Sequence, residues 1–140
     1  MIEIPSDVVD EIREQAMAET PNEACGYLAG RGGRVKSRIQ MTNVDASPEH
    51  FSFEPSEQFD AMKTARTDGL ELIAVYHSHP ETPARMSDED IRLANDTRIT
   101  YVIMSLSDNR TKAFRIHDDK TVHEVPLRIV SDASVDRGNG

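Results

Sequence analysis

Two histidines separated by a single residue, His77 and His79, are the side chains best suited to catalysis or metal binding. Ser87 and Asp90 follow shortly downstream. The run before them, residues 70–76, is apolar and β-branched, which predicts a buried strand. Because residues i and i+2 of a strand point to the same face, the two imidazoles should project together from the carboxyl end of this strand. A pair of imidazoles with a carboxylate nearby is typical of a metal site.

Asp90 is the third candidate ligand. A helix is predicted to begin at Asp88, with Ser87 as its N-cap, after a short loop at 81–86. A side chain in its first turn can return to the end of the strand. Two histidines and one aspartate would leave the fourth position of a tetrahedral zinc ion open for water, which is the layout of a catalytic site. The alternative is that Ser87 and Asp90 form only a capping box.

The elements that must position these residues follow from periodicity and turn signals. Gly32 and Gly33 predict a hairpin turn, Gly69 a helix end, and Pro80 the end of the strand with the histidines. We expect one α/β domain over residues 1–130 and a disordered tail at 131–140. Helices are predicted at 7–19, with Ser6 as the N-cap, at 55–68 and at 88–96, and strands at 25–30, 34–41, 51–53, 70–79, 99–106, 112–117 and 122–130.

The composition and length of the chain exclude several classes of function. The chain has 140 residues with 25 acidic and 16 basic side chains, a net charge of −9, which would repel a phosphate backbone; we expect no nucleic-acid partner. The single cysteine excludes an internal disulfide. Since neither a signal-like N-terminus nor a long apolar run is present, we expect a cytoplasmic protein with no membrane partner. The chain is also too short for the barrel amidohydrolases, which need about 250 residues.

The arrangement His-Ser-His-Pro, six residues, Ser-x-x-Asp over residues 77–90 resembles the signature of the JAMM (MPN+) zinc metallopeptidases. Those proteins are isopeptidases that remove ubiquitin or ubiquitin-like proteins. Residues 21–28 resemble the family segment that carries a glutamate before a first strand, which points to Glu23. Residues 43–55 resemble the small bacterial members. The resemblance implies the MPN fold, a curved mixed sheet sandwiched by helices and related to the cytidine deaminases.

The resemblance also implies roles. His77, His79 and Asp90 would hold Zn2+, and Glu23 would take a proton from the attacking water and pass it to the leaving amine. The hydroxyl of Ser87 would stabilise the tetrahedral oxyanion. From the residues alone, Glu23 would be a surface acid before a strand.

The implied substrate is the C-terminal glycine tail of a ubiquitin-like or sulfur-carrier protein. Linkage-specific deubiquitinases of this family carry insertions around the site, whereas the loop at 81–86 is short and the chain is minimal. We therefore expect release of an amino acid such as cysteine from the terminal glycine of a carrier.

Two other functions remain open at this stage. A non-catalytic MPN scaffold would bind partners only, but such members typically lose metal ligands. A deaminase would need the Pro-Cys-x-x-Cys segment, and Cys25 stands alone. We predict that Cys25 is a small buried thiol beneath the site, although a position beside the metal is the alternative. His50, His117 and His123 are predicted not to be ligands.

Overall fold

A mixed eight-stranded sheet with helices on both faces forms the framework of a computed structural model that describes residues 1–131. All of the predicted tail except Ser131 lies outside the described residues. The strand order is β7-β6-β5-β4-β2-β3-β1-β8. The elements are β1 (Ile2–Pro5), α1 (Ser6–Glu19), β2 (Cys25–Arg31), β3 (Arg34–Met41), α2 (Pro55–Thr67), β4 (Glu71–His79), α3 (Asp88–Leu93), β5 (Thr100–Ser105), β6 (Arg110–Ile116), β7 (Val122–Val125) and β8 (Leu127–Val130).

The sheet curves until its two edges meet at Pro126. The prediction of one strand over 122–130 is wrong, because proline has no N–H for the ladder and interrupts it there. β7 pairs with β6 in antiparallel fashion, whereas β8 pairs with β1 in parallel at the opposite end of the strand order. Ile2 N donates to Pro126 O at 2.9 Å beside this junction. Two consecutive strands therefore form both edges, and the sheet is nearly closed.

Other boundaries also differ from the predictions. β1 was not expected, because four residues next to the start of a helix are too few to show a clear alternation of apolar and polar side chains. Residues 51–53 form no strand; both phenylalanines pack as loop residues, and their rings lie 5.4 Å apart. α3 ends at Leu93 instead of residue 96. β4 runs to His79 and carries both histidines at its carboxyl end, as predicted.

The start of the first helix is also corrected. Ser6 is the first helical residue, and Pro5 occupies the N-cap position without a capping side chain. The glycine predictions are confirmed. Gly32 and Gly33 have φ angles of +59° and +79° in the β2–β3 turn, and Gly69, at +73°, follows the end of α2. These left-handed conformations favour glycine over other residues.

Two hydrophobic clusters lie on opposite faces of the sheet. Ile12 of α1 packs with Leu28 and Tyr76 on one face. On the other face, Ala61 of α2 packs with Val75. Since side chains alternate along β4, the histidines at 77 and 79 share the face of Val75, under α2 and α3. Within residues 1–131, no helix has the length and apolar character needed to cross a membrane.

Candidate metal centre and active site

β4 carries both histidines at the centre of the sheet, between β2 and β5. His77 and His79 are each only 2% exposed, and their Nε2 atoms lie 3.1 Å apart. β4 and β5 are parallel and are connected through α3, so this helix lies beyond the carboxyl end of β4. Such strand ends are where open α/β sheets place their sites.

α3 brings Asp90 to the two imidazoles. Its Oδ2 lies 2.9 Å from His79 Nε2 and 3.2 Å from His77 Nε2. The backbone N–H of Ser87 donates to the same Oδ2 at 3.0 Å, and Asp90 N donates to Ser87 Oγ at 3.0 Å. The predicted capping box therefore exists, and it aims the carboxylate at the histidines. The two interpretations of Ser87 and Asp90 are compatible.

Glu23 approaches from the segment just before β2. It is 2% exposed, and its Oε2 lies 4.0 Å from His79 Nε2. The next residue, Ala24, is held by Ser78: Ala24 N donates to Ser78 Oγ at 2.8 Å, and Ser78 N donates to Ala24 O at 3.0 Å. Because side chains alternate along β4, Ser78 points to the face opposite the histidines, and it fixes the backbone beside Glu23.

The loop at 43–53 closes over the same residues. Glu23 N donates to Ser47 O at 2.8 Å, and Asn43 Nδ2 donates to Glu23 O at 3.0 Å. The ring of Phe51 packs on the ring of His77, with centroids 4.9 Å apart. These supporting contacts are not visible in any sequence spacing, because they join segments 20 or more residues apart.

The donor atoms fit a zinc ion. Four buried residues, Glu23, His77, His79 and Asp90, each offer a ligand atom within 4.8 Å of the others. For zinc bonds of about 2.0–2.1 Å, neighbouring ligand atoms of a tetrahedron lie about 3.3 Å apart. The histidine and aspartate atoms are 2.9–3.2 Å apart, close to that spacing.

The hydrogen bonds around the cluster are also compatible with a bound cation. His79 Nδ1 lies 2.8 Å from Pro83 O, so this nitrogen carries the proton and Nε2 faces Asp90. A bare Nε2 lone pair against a carboxylate is repulsive unless a proton or metal lies between them. Glu23 Oε1 and His77 Nδ1 are buried and have no hydrogen-bond partner in the described part of the chain.

Burial controls the acid–base properties of Glu23. Removal from water and, to a smaller extent, the negative charges of Asp90 and Glu49 together raise the pKa of this carboxyl group from 4.5 to about 9. Without metal, Glu23 therefore carries a proton at neutral pH.

Asp90 behaves in the opposite way. Burial by itself would raise its pKa, but the pKa is held well below its usual range. The causes are the electrostatic interaction with His77, the hydrogen bonds from both imidazoles and the hydrogen bond from the Ser87 N–H. For His79, burial acts to lower the pKa, and the hydrogen bonds to Asp90 and Pro83 O outweigh it and raise the pKa. A metal ion would replace the protons on this cluster.

The remaining candidates lie outside the four-residue cluster. Cys25 is buried, its Sγ lies 3.9 Å from Met41 O, and burial raises the pKa of the thiol far above its usual range, which opposes a thiolate ligand. His50 pairs with Asp45 at 2.8 Å. His117 and His123 contact each other at 2.9 Å.

A groove of about 1160 Å³ runs between α2 and α3 and reaches the cluster at His77 and Asp90. No sequence pattern predicted it, because its walls come from five separate elements and loops. Apolar and aromatic side chains dominate its lining, among them Tyr27, Phe51, Phe53, Met62, Leu93 and Tyr101.

Comparison with known proteins agrees with the fold and the site. The family described as prokaryotic homologs of the JAB domain matches residues 5–117. A JAB1/MPN domain protein from Archaeoglobus fulgidus, 22% identical, superposes with a TM-score of 0.63 over 92% of this chain and 99% of its own, which shows a shared fold. This fold is the one predicted, and the chain belongs to the prokaryotic JAB-domain family.

Named relatives are similar over almost the whole chain. The CysO-cysteine peptidase of Mycobacterium tuberculosis is 33% identical, over 91% of this chain and 90% of that protein. The "Probable TtuB-protein conjugate cleaving protease" of Thermus thermophilus is 34% identical, over 89% and 82%. The solution structure of a Desulfitobacterium hafniense protein is 40% identical, with a TM-score of 0.86 over 94% of each chain.

Proposed function

We propose that this protein is a zinc-dependent peptidase that hydrolyses the peptide or isopeptide bond after the C-terminal glycine of a ubiquitin-like or sulfur-carrier protein. The observation that carries the proposal is the buried cluster of two imidazoles and two carboxylates at a groove. The names of the relatives, a peptidase and a conjugate-cleaving protease, support hydrolysis as the reaction.

His77, His79 and Asp90 would hold the metal, because their donor atoms have the spacing of tetrahedral ligands. When bound, zinc supplies a Lewis acid for the scissile carbonyl and lowers the pKa of water to about 7. The spacing of the ligands suits this metal, and so does the contact between His79 Nδ1 and Pro83 O, which orients the imidazole ring.

Glu23 is the proposed proton carrier. Its Oε2 lies next to the ligands, 4.0 Å from His79 Nε2 and beyond hydrogen-bonding distance of it, where it could contact a water molecule held at the metal. Burial raises the pKa of Glu23 and a bound cation would lower it again, so in the loaded site this carboxylate could accept a proton from water and donate it to the leaving amine.

Ser87 is the proposed oxyanion donor. Its Oγ accepts the N–H of Asp90, so the hydroxyl proton can point elsewhere. The capping box holds Ser87 beside the ligand Asp90, at the edge of the cluster. A donor in this place would stabilise the charge that develops on the carbonyl oxygen.

The groove suits the tail of a carrier protein. A flexible glycine tail is narrow enough to pass between α2 and α3 to the cluster, and the preceding residues could contact the apolar walls. One of the relatives is named as a CysO-cysteine peptidase. We propose the same class of substrate here, in the cytoplasm.

The test is direct. Zinc-loaded protein is incubated with a sulfur-carrier protein whose C-terminal Gly-Gly is extended by one cysteine, and the carrier mass is followed. Loss of the mass of one cysteine residue, absent with E23Q, supports the proposal. An unchanged adduct together with cleavage of unrelated peptides would refute the substrate class. A purified protein that binds no zinc would favour the scaffold alternative.

A further inference from the structure

The short helix that carries Asp90 lacks the usual C-terminal cap. α3 has six residues, and the chain leaves it at Ala94 with extended backbone, φ −80° and ψ 105°, instead of a left-handed glycine. A helix of this length is not stable on its own hydrogen bonds. Its last carbonyl groups also need partners outside the helix. The position of Asp90 therefore depends on contacts from other elements.

Lys120 supplies those contacts at the C-terminal end. It lies in the turn between β6 and β7, and its ammonium group faces four oxygens. Lys120 Nζ lies 2.6 Å from Ala94 O, 3.1 Å from Ile91 O, 3.4 Å from Arg92 O and 3.4 Å from Asn95 Oδ1. A cation at the C-terminus of a helix also interacts favourably with the helix dipole.

The backbone of Lys120 is unusual for a lysine. Its φ is +69°, in the left-handed region where glycine or asparagine is typical of such hairpin turns. The turn is closed by hydrogen bonds from Lys120 N to His117 O and from His117 N to Thr121 O, both 2.9 Å. Lysine is disfavoured at this glycine-like position of the turn. The contacts of the Lys120 side chain with α3 therefore explain why a lysine occupies it.

We propose that Lys120 is a positioning residue for the metal centre: it anchors the end of α3 and thereby holds Asp90 against His77 and His79. The link is short, because Ala94 accepts from Lys120 Nζ through its carbonyl and donates through its N–H to Asp90 O at 3.0 Å. Ser87 fixes the first turn and Lys120 the last. The inference rests on the proposed role of Asp90 as a metal ligand.

Two substitutions separate anchoring from general stability. K120M removes the ammonium group and keeps the strained φ, whereas K120G removes the side chain and relieves the φ. K36M, at an exposed lysine of β3, is the matched control. Three quantities are measured. The zinc dissociation constant is obtained by competition with a chelator, and the stability of the metal-free protein by urea unfolding. The rate of hydrogen exchange at the Ala94 amide is obtained by NMR.

We expect K120M and K120G each to weaken zinc binding about tenfold and to speed exchange at Ala94, with K36M unchanged. K120G should unfold at the same or higher urea concentration than wild type, which a purely structural role for Lys120 would not predict. Zinc binding unchanged in both Lys120 variants would overturn the inference and leave the proposed function intact. A wild-type protein that binds no zinc would overturn both.

Discussion

Replacement of Glu23 by glutamine should change how the stability of the metal-free protein depends on pH. Burial raises the pKa of Glu23 to about 9 in the folded protein, against 4.5 when exposed. Between these values the folded state keeps a proton that the unfolded state releases. Rising pH therefore favours the unfolded state of the wild type, and the stability present below pH 4.5 is lost progressively up to about pH 9.

The size of the effect follows from this shift. The wild type should lose about 1.4 kcal/mol for each pH unit within the window, relative to E23Q, which cannot titrate there. From pH 4.5 to 7 the loss accumulates over 2.5 pH units to about 3 kcal/mol. Because Glu23 is 2% exposed, solvent screening reduces this loss of stability only slightly.

The measurement is urea unfolding with a chelator present, at several pH values from 4 to about 8. The free-energy difference between E23Q and wild type should be flat at the acid end and then rise with pH in favour of E23Q. E14Q, at an exposed acid of α1, is the control and should show no such slope.

A flat difference at all pH values, or one that favours the wild type as pH rises, would refute the electrostatic account of the site. Added zinc should reduce the slope, because a nearby cation favours the carboxylate. In the loaded protein, E23Q should retain zinc while hydrolysis falls by about 100- to 10,000-fold. Loss of zinc instead would mean that Glu23 is a ligand.

Three further substitutions test the other residues. D90A should weaken zinc binding by more than about 100-fold, beyond what loss of an outer contact costs; full zinc content would remove Asp90 from the ligand set. S87G removes the hydroxyl, and the loss of capping should cost only a few tenths of a kcal/mol of stability. A fall in kcat of about 100- to 1000-fold at a normal urea midpoint, with activity restored in S87T, would identify Ser87 as an oxyanion donor. S78A leaves the buried Ala24 N–H without its acceptor and should cost about 1–3 kcal/mol of unfolding free energy. In S78A we also expect a lower kcat with zinc still bound, and an unchanged kcat would show that Ser78 does not position Glu23.

The agreement between sequence and structure is best where a single element carries the information. The pair at 77 and 79 shares a face because side chains alternate along any strand, and β4 confirms it. The Ser87–Asp90 capping box is likewise a local pattern, confirmed in α3. The roles of these residues in catalysis stay predictions.

Glu23 shows the limit of local patterns. By spacing and propensity it is an acid before a strand, and only the resemblance to a family singled it out. Its raised pKa arises from burial first and then from the charges of Asp90 and Glu49, both distant in the sequence. The same holds for Lys120, whose acceptors lie 25 to 29 residues earlier.

By itself, the order of residues determined most of the elements, the shared face of the histidines and the cap beside them, since each depends on interactions over a few residues. Only the tertiary structure decided the near closure of the sheet at Pro126, the meeting of the four donor atoms and the protonation of Glu23. Those features depend on which distant segments pack together and exclude water, and hydrophobic periodicity carries no record of such partners.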